Sequence, residues 1–293
     1  MAELLDEAID WLRIPSISAG ARDDAALCAA AQWALERVLG AGGECALVET
    51  EGAPLVVGEL RAARADAPTV MIYGHYDVQD PGDLAEWVSP PFAPTIRDGR
   101  LYARGATDDK GNFLPLLHVA CALARDGALP VHVRVLIEGA EETGSDAVGQ
   151  WVRADERGAD AVIVFDGGMV DAERPALATA TRGLVFAHVE VRTGTAPAHS
   201  GMYGGAALNA FHALHRALAA VLPVDGRLPE PLRAGARPAS PEEVATWATL
   251  PDGAGELARV GARPADAAAG SEFYLRTTGE PSLDVHRVEG GQP

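Results

Sequence analysis

Short apolar runs alternate with helical patterns through the first half of the chain, and this alternation constrains the fold more than any other feature. Residues 69–73, 131–137 and 161–165 are predicted strands, because they are short and rich in apolar and β-branched side chains. Residues 112–124 and 146–153 lie between them and carry apolar residues at helical spacing. The order strand, helix, strand, helix, strand predicts an α/β fold with a mainly parallel sheet flanked by helices.

The pattern changes in the second half of the chain. An alternating strand is expected at residues 185–191 and a helix at residues 206–221. A stretch rich in proline, arginine and glutamate follows the helix. We therefore predict two domains, residues 1–182 and residues 183–293, the second a smaller α+β domain.

Composition excludes several classes of partner. The chain has 42 acidic and 24 basic residues and a net charge of −18, which repels nucleic acid and anionic membranes. The sequence shows neither a signal-peptide pattern nor an apolar run of about eighteen residues. Cys28, Cys45 and Cys121 have no C-x-x-C spacing, so no disulfide framework or zinc ribbon is predicted. We expect no nucleic-acid partner, no membrane partner and a cytoplasmic location.

Potential metal ligands stand where the predicted strands end. His75 and Asp77 are two residues apart at the end of the first strand, so their side chains leave the same face. Asp108 and Asp109 precede the first helix, and Asp166 ends the third strand. Ligands of open α/β sheets bind at the carboxyl ends of the strands. This shared location predicts a metal site, although helix capping could explain Asp108 and a turn could explain Asp166.

Two further positions could take part in the chemistry. Glu141 and Glu142 follow the second predicted strand. Two adjacent carboxylates in a loop are usually solvated charges, but near a metal one can ligate while the other transfers a proton. His199 lies in a glycine-rich loop of the second domain, and a lone loop histidine more often has no catalytic role. The sequence lacks the nucleophile elbow of serine hydrolases and both common nucleotide-binding signatures.

Several motifs occur in a fixed order along the chain: Gly74-His75-Tyr76-Asp77-Val78-Gln79, Arg104-Gly105-Ala106-Thr107-Asp108-Asp109-Lys110-Gly111, Glu138-Gly139-Ala140-Glu141-Glu142-Thr143-Gly144-Ser145, Asp166, and His199-Ser200-Gly201-Met202-Tyr203-Gly204-Gly205. In this order the chain resembles the co-catalytic zinc peptidases, which include carnosinase-type dipeptidases, aminoacylase and succinyl-diaminopimelate desuccinylase. The first and last motifs resemble the carnosinase-type branch most.

The resemblance implies a centre with two divalent metal ions. By similarity, His75, Asp108 and Asp166 would hold one ion, while Asp108, Glu142 and a later histidine would hold the other. Zinc is the expected metal, with manganese or cobalt as alternatives. In that family the chain continues past this length and supplies the last histidine ligand and the rest of the second domain. We therefore expect residues 1–293 to be a fragment of a longer enzyme or a shortened product.

The resemblance also assigns catalytic roles. Glu141 would be the general base, Asp77 would support His75, and His199 would reach the site of the partner subunit in a homodimer, where it would stabilise the oxyanion. The peptide bond between Asp108 and Asp109 would be cis. The second domain would then be the lid and dimerisation domain, present in part.

These observations together predict a metal-dependent hydrolase that cleaves a peptide or amide bond in a small substrate, most of all a dipeptide. An N-acyl amino-acid deacylase is the alternative among enzymes, with an N-acyl amino acid as substrate. A non-catalytic binding protein with a peptidase fold is the alternative from another class, because an incomplete second metal site would permit it.

Overall fold

The computed structural model describes residues 2–144, 146–171, 173–178 and 180–290. The chain divides into two compact units, Met1–Gly168 and Met169–Pro293. This division falls earlier than the boundary expected near Arg182. The side chains of Arg174 and Arg182 hydrogen-bond to the carbonyls of Thr249 and Glu280, so both arginines have partners within the second unit.

Unit 1 contains four α-helices and seven strands among its described residues. The helices are α1 (Ala2–Leu12), α2 (Asp24–Gly40), α3 (Lys110–Arg125) and α4 (Ala147–Ala154). The strands are β1 (Glu44–Val48), β2 (Leu55–Leu60), β3 (Thr69–His75), β4 (Thr95–Arg97), β5 (Arg100–Tyr102), β6 (His132–Glu138) and β7 (Ala161–Val164). Two short 3-10 turns, Leu84–Glu86 and Glu141–Thr143, complete the regular structure.

Five of these strands form one sheet in the order β1-β2-β6-β3-β7. Strand β3 is parallel to β6 and β7, whereas β1 and β2 pair antiparallel with each other and β2 pairs antiparallel with β6. The α/β class is confirmed, and its parallel part consists of the three strands that precede the predicted site. The carboxyl ends of β3, β6 and β7 therefore meet at one edge, with His75 opposite Glu138 in the register.

Both faces of the sheet are covered by helices. Ile72 and Ile137 pack with α1, α2 and α3 in the main core, which also contains Trp11 and Phe113. Their strand neighbours face the other side, where Leu55, Met71 and Leu136 pack against Val148 and Trp151 of α4. Successive residues of a strand point to opposite faces, so these runs of apolar residues fill two layers at once.

Lys110 is the one lysine of the chain and is buried at the start of α3. Burial lowers the pKa of its ammonium group to about 7. Its Nζ atom donates to the carbonyls of Trp11 (3.1 Å) and Ile14 (2.8 Å), which lie at the end of α1, where helix carbonyls lack partners in their own helix. This contact holds the end of α1 and the loop after it against the start of α3. In the same loop, the Ser16 hydroxyl donates to the carbonyl of Tyr76, just after β3, at 2.6 Å.

The regular secondary structure in the described part of unit 2 is helical. It contains α5 (Ser200–Tyr203), α6 (Ala210–Ala219), α7 (Glu230–Arg233), α8 (Pro241–Trp247), α9 (Gly253–Arg259) and a π-helix at Leu275–Gly279. The helix predicted at residues 206–221 corresponds to α6. The strand predicted at residues 185–191 is wrong. Val185 and Phe186 are exposed there, and this segment has no neighbouring strand in the described part of the unit.

None of the helices in the described part of the chain combines the length and the hydrophobicity that a membrane span requires.

Candidate metal centre

His75 is the last residue of β3, and its side chain is fully buried. Its backbone N–H donates to the Asp109 carboxylate at 3.1 Å. Its Nδ1 atom lies 3.1 Å from the Asp77 carbonyl oxygen and 3.3 Å from the Asp77 carboxylate. Both neighbours are acceptors, so Nδ1 carries the proton in the neutral ring and the Nε2 lone pair is free for another partner.

Three carboxylates surround Nε2 of His75. The nearest oxygens of Asp108, Asp166 and Glu141 lie 3.0, 3.9 and 4.0 Å away. One ligand atom each from His75, Glu141 and Asp166 lies within 4.8 Å of the other two. An imidazole nitrogen with several carboxylate oxygens suits zinc, manganese or cobalt, so the donor set fits a divalent metal ion.

The close approach of α3 to β3 brings Asp108 to this position. A Cβ atom on Gly74 would lie 2.4 Å from the Phe113 ring and 2.6 Å from the Asp109 carboxylate, so any larger residue would push the start of α3 away. The Asp108–Asp109 peptide bond is cis, which confirms the expectation from the resemblance. The Asp108 side chain is partly exposed toward the site, whereas Asp109 is buried beneath it.

The Asp77 carboxylate connects His75 to the loop that follows β6. It is fully buried and accepts hydrogen bonds from the Ser18 hydroxyl (2.5 Å) and from the backbone N–H groups of Glu141 (3.3 Å) and Glu142 (3.2 Å). Ser18 was not predicted as a site residue, because it lies 59 residues before Asp77 and no local pattern marks it. Ser16 and Ser18 are two residues apart, so their side chains can leave the same face, and this spacing is the one sequence signal that could have identified Ser18.

Glu141 and Glu142 differ in where their carboxylates point. The Glu141 carboxylate faces Nε2 of His75, whereas the Glu142 carboxylate accepts a hydrogen bond from the Gln79 side chain at 3.0 Å. Burial raises the pKa of both carboxyl groups; for Glu142 the Gln79 bond acts in the opposite direction. The carboxylate of Glu141, the expected general base, thus lies 4.0 Å from His75 Nε2. The carboxylate of Glu142, the expected metal ligand, is bonded to Gln79 instead.

The electrostatics of the cluster favour a cation. Burial opposes protonation of His75, but the hydrogen bond and charge of Asp77, with the charges of Asp109 and Glu141, outweigh it and raise the pKa of His75 to about 10. Burial raises the pKa of Asp109 to about 8, although His75 opposes the shift. One oxygen of the Asp109 carboxylate has no hydrogen-bond partner among the described residues. The negative electrostatic potential that raises the pKa of His75 also attracts a divalent metal ion.

His199 lies in unit 2, whereas the other six predicted site residues lie in unit 1. The His199 side chain is exposed, and its Nδ1 atom accepts a hydrogen bond from the Gly201 backbone N–H at 3.0 Å. Since Nδ1 is an acceptor here, the neutral ring carries its proton on Nε2.

The fold and the cluster define a class of α/β proteins with a divalent-metal site at the carboxyl ends of parallel strands. The chain belongs to peptidase family M20/M25/M40, whose model matches residues 71–286.

Relatives and solved structures place the chain among named peptidases. It is 38% identical over 165 residues to the cysteinylglycine-S-conjugate dipeptidase of Corynebacterium striatum, which covers 55% of this chain and 36% of that protein. It is 37% identical over 158 residues to the human Beta-Ala-His dipeptidase, covering 52% and 31%. The matched part thus spans about a third of the length of these relatives. The structure of the M20 family metallo-carboxypeptidase Sso-CP2 from Sulfolobus solfataricus superposes with a TM-score of 0.81 and 27% identity, covering 100% of this chain and 67% of that one.

Metal binding is predicted to displace a proton from His75. With a pKa of about 10, the ring is protonated at neutral pH, so the proton competes with the metal and apparent affinity rises with pH, about tenfold per pH unit for each proton displaced. Calorimetric titration with Zn²⁺ between pH 6 and pH 7.5, in buffers with different ionisation enthalpies, measures the protons released. His118, which pairs with Glu7, provides the control: His118→Gln should behave like the parent. Binding without proton release would contradict the assignment of His75.

Proposed function

We propose that the protein is a metal-dependent hydrolase that cleaves the peptide bond of a small substrate, and that this substrate is a dipeptide. The observation that carries this proposal is the ring of three carboxylates within 4.0 Å of His75 Nε2 at one edge of the sheet. Membership of the peptidase family supports the reaction class. The dipeptidase names of the two relatives support a short peptide as substrate.

The proposed cofactor is a pair of divalent metal ions. Zinc is the expected metal, and manganese or cobalt are the alternatives. His75, Asp108 and Asp166 would hold one ion, and Asp108 and Glu142 would contribute to the other. Asp108 suits a shared position because its side chain is partly exposed and one of its oxygens already faces His75. When bound, such ions polarise the scissile carbonyl and lower the pKa of water.

Glu141 is the proposed general base. Its backbone N–H is bonded to Asp77, which fixes the start of the side chain, while the carboxylate is part-exposed and open to water. Burial raises its pKa, against the opposing charge of His75 and with the help of Asp166 and Asp77, and a raised carboxylate pKa suits proton transfer near neutral pH. Glu141 would take a proton from the water that attacks the carbonyl carbon and pass it to the amine nitrogen as the C–N bond breaks. Asp77 would keep His75 in position.

His199 is proposed to act in the site of a partner subunit, so that the active protein would be a homodimer. The Gly201 bond leaves Nε2 as a donor on an exposed ring. A donor of this kind could bind the carbonyl oxygen where negative charge develops. A cytoplasmic location is part of the same proposal, and the three unpaired cysteines support it.

Replacing Glu141 by glutamine is expected to leave metal content intact and to lower turnover by a factor of about 10² to 10⁴, because the amide cannot accept the proton. Hydrolysis is measured on a panel of dipeptides and N-acyl amino acids, with Glu156→Gln, at an exposed carboxylate outside the cluster, as the matched control. Unchanged turnover would exclude Glu141 as the base. Faster cleavage of N-acyl amino acids would indicate the deacylase. Hydrolysis of neither class by metal-loaded protein would favour a binding role.

Mixing two inactive variants tests the role of His199. His199→Ala and Asp108→Ala should each lack activity, and hybrid dimers should recover part of it, because one of their two sites combines an intact Asp108 with an intact His199. Activity is measured after co-refolding, with the dimers verified by differential tagging. No recovery in verified hybrids would rule out the shared site.

A further inference from the structure

Asn112 forms a bridge between two loops of the candidate metal centre. It lies in the first turn of α3, and its Nδ2 atom donates to the carbonyl of Thr107 at 2.6 Å and to the carbonyl of Gly167 at 2.9 Å. Thr107 directly precedes Asp108, and Gly167 directly follows Asp166. Each accepting carbonyl therefore belongs to the neighbour of a carboxylate that faces His75.

The turn that carries Asp166 has few other attachments. Strand β7 pairs with β3 up to Val164, and the next bond, from the Phe165 N–H to the Tyr73 carbonyl, is long at 3.4 Å. All four residues of β7 are exposed. In the described part of the chain, the hydrogen bond that reaches residues 166–168 is the one from Asn112.

Each of the two loops that Asn112 links also supplies a carboxylate that faces His75. The carboxylates of Asp108 and Asp166 approach the same His75 nitrogen from two different loops, to 3.0 and 3.9 Å. A tether between the two loops limits how far apart these two carboxylates can move.

We infer that Asn112 is a positioning residue that holds the Asp166 turn against the Asp108 loop and so sets the spacing of the two carboxylates around His75. The inference rests on the proposed metal-dependent function. Its chemistry is specific to the residue type: both partners are carbonyl oxygens, which only accept, and a side-chain amide supplies two N–H donors on one nitrogen. A carboxylate would present lone pairs to both carbonyls, and a hydroxyl could satisfy one of them.

Three variants separate this role from a structural one. Asn112→Leu keeps the size of the side chain and removes both donors, while Asn112→Gln keeps two donors on one nitrogen. Gln32→Leu is the matched control, because its amide lies on the exposed part of α2 and bonds to Glu36 within the same helix. Asn112 is half-buried and its two bonds are solvent-accessible, so the apo variants are expected to melt at the parent temperature.

Zinc affinity, measured by competition with a chromophoric chelator, is the readout that needs no turnover. The Asn112→Leu variant should bind zinc about 10- to 100-fold more weakly than the parent, as is usual when a partner that orients a ligand is lost. Asn112→Gln should regain part of the loss, and Gln32→Leu should match the parent.

The outcomes distinguish this inference from the function on which it rests. If the unchanged protein binds no zinc, the proposed metal site fails and the inference fails with it. If the parent binds zinc and Asn112→Leu binds it equally well, the inference alone is overturned. Equal losses in the Leu and Gln variants would also overturn it, because the paired donors would then not matter.

Discussion

The buried carboxylate of Asp77 joins three separate parts of unit 1. It faces the Nδ1 atom of His75, accepts the Ser18 hydroxyl from the loop after α1, and accepts two backbone N–H groups from the turn after β6. A carboxylate without exposure is costly unless hydrogen bonds replace its lost water. The bonds that offset this cost also orient the imidazole and place Glu141 beside it, so the geometry of the centre depends on them.

The support for Asp77 extends through the core to the far end of α1. Lys110 donates to the carbonyl of Trp11 in the last turn of that helix and to the carbonyl of Ile14 just after it, and it directly follows the acidic pair at the start of α3. One buried side chain thus fixes the loop that carries Ser18 and, through α3, the loop that carries Asp108. The centre is therefore assembled by the packing of unit 1.

Much of unit 1 could be predicted from the sequence, since the apolar runs before His75 and Asp166 are strands and parallel strands bring their ends together. Contacts between distant positions could not be predicted, and Ser18 is the clearest case because its partner is 59 residues away. The two adjacent glutamates could not be told apart either, because their directions depend on backbone bonds to Asp77. The expected strand at residues 185–191 had the right alternation, but a strand also needs a neighbour to accept its hydrogen bonds.

Anomalous diffraction at the zinc absorption edge, from crystals of the protein grown with zinc, shows directly which side chains bind the ion. We predict a peak at a bonding distance of about 2.0–2.2 Å from Nε2 of His75 and from carboxylate oxygens of Asp108 and Asp166. A peak at Nδ1 of His75, which would require the bond to Asp77 to break, would contradict the assigned roles of His75 and Asp77, as would zinc bound away from His75 altogether.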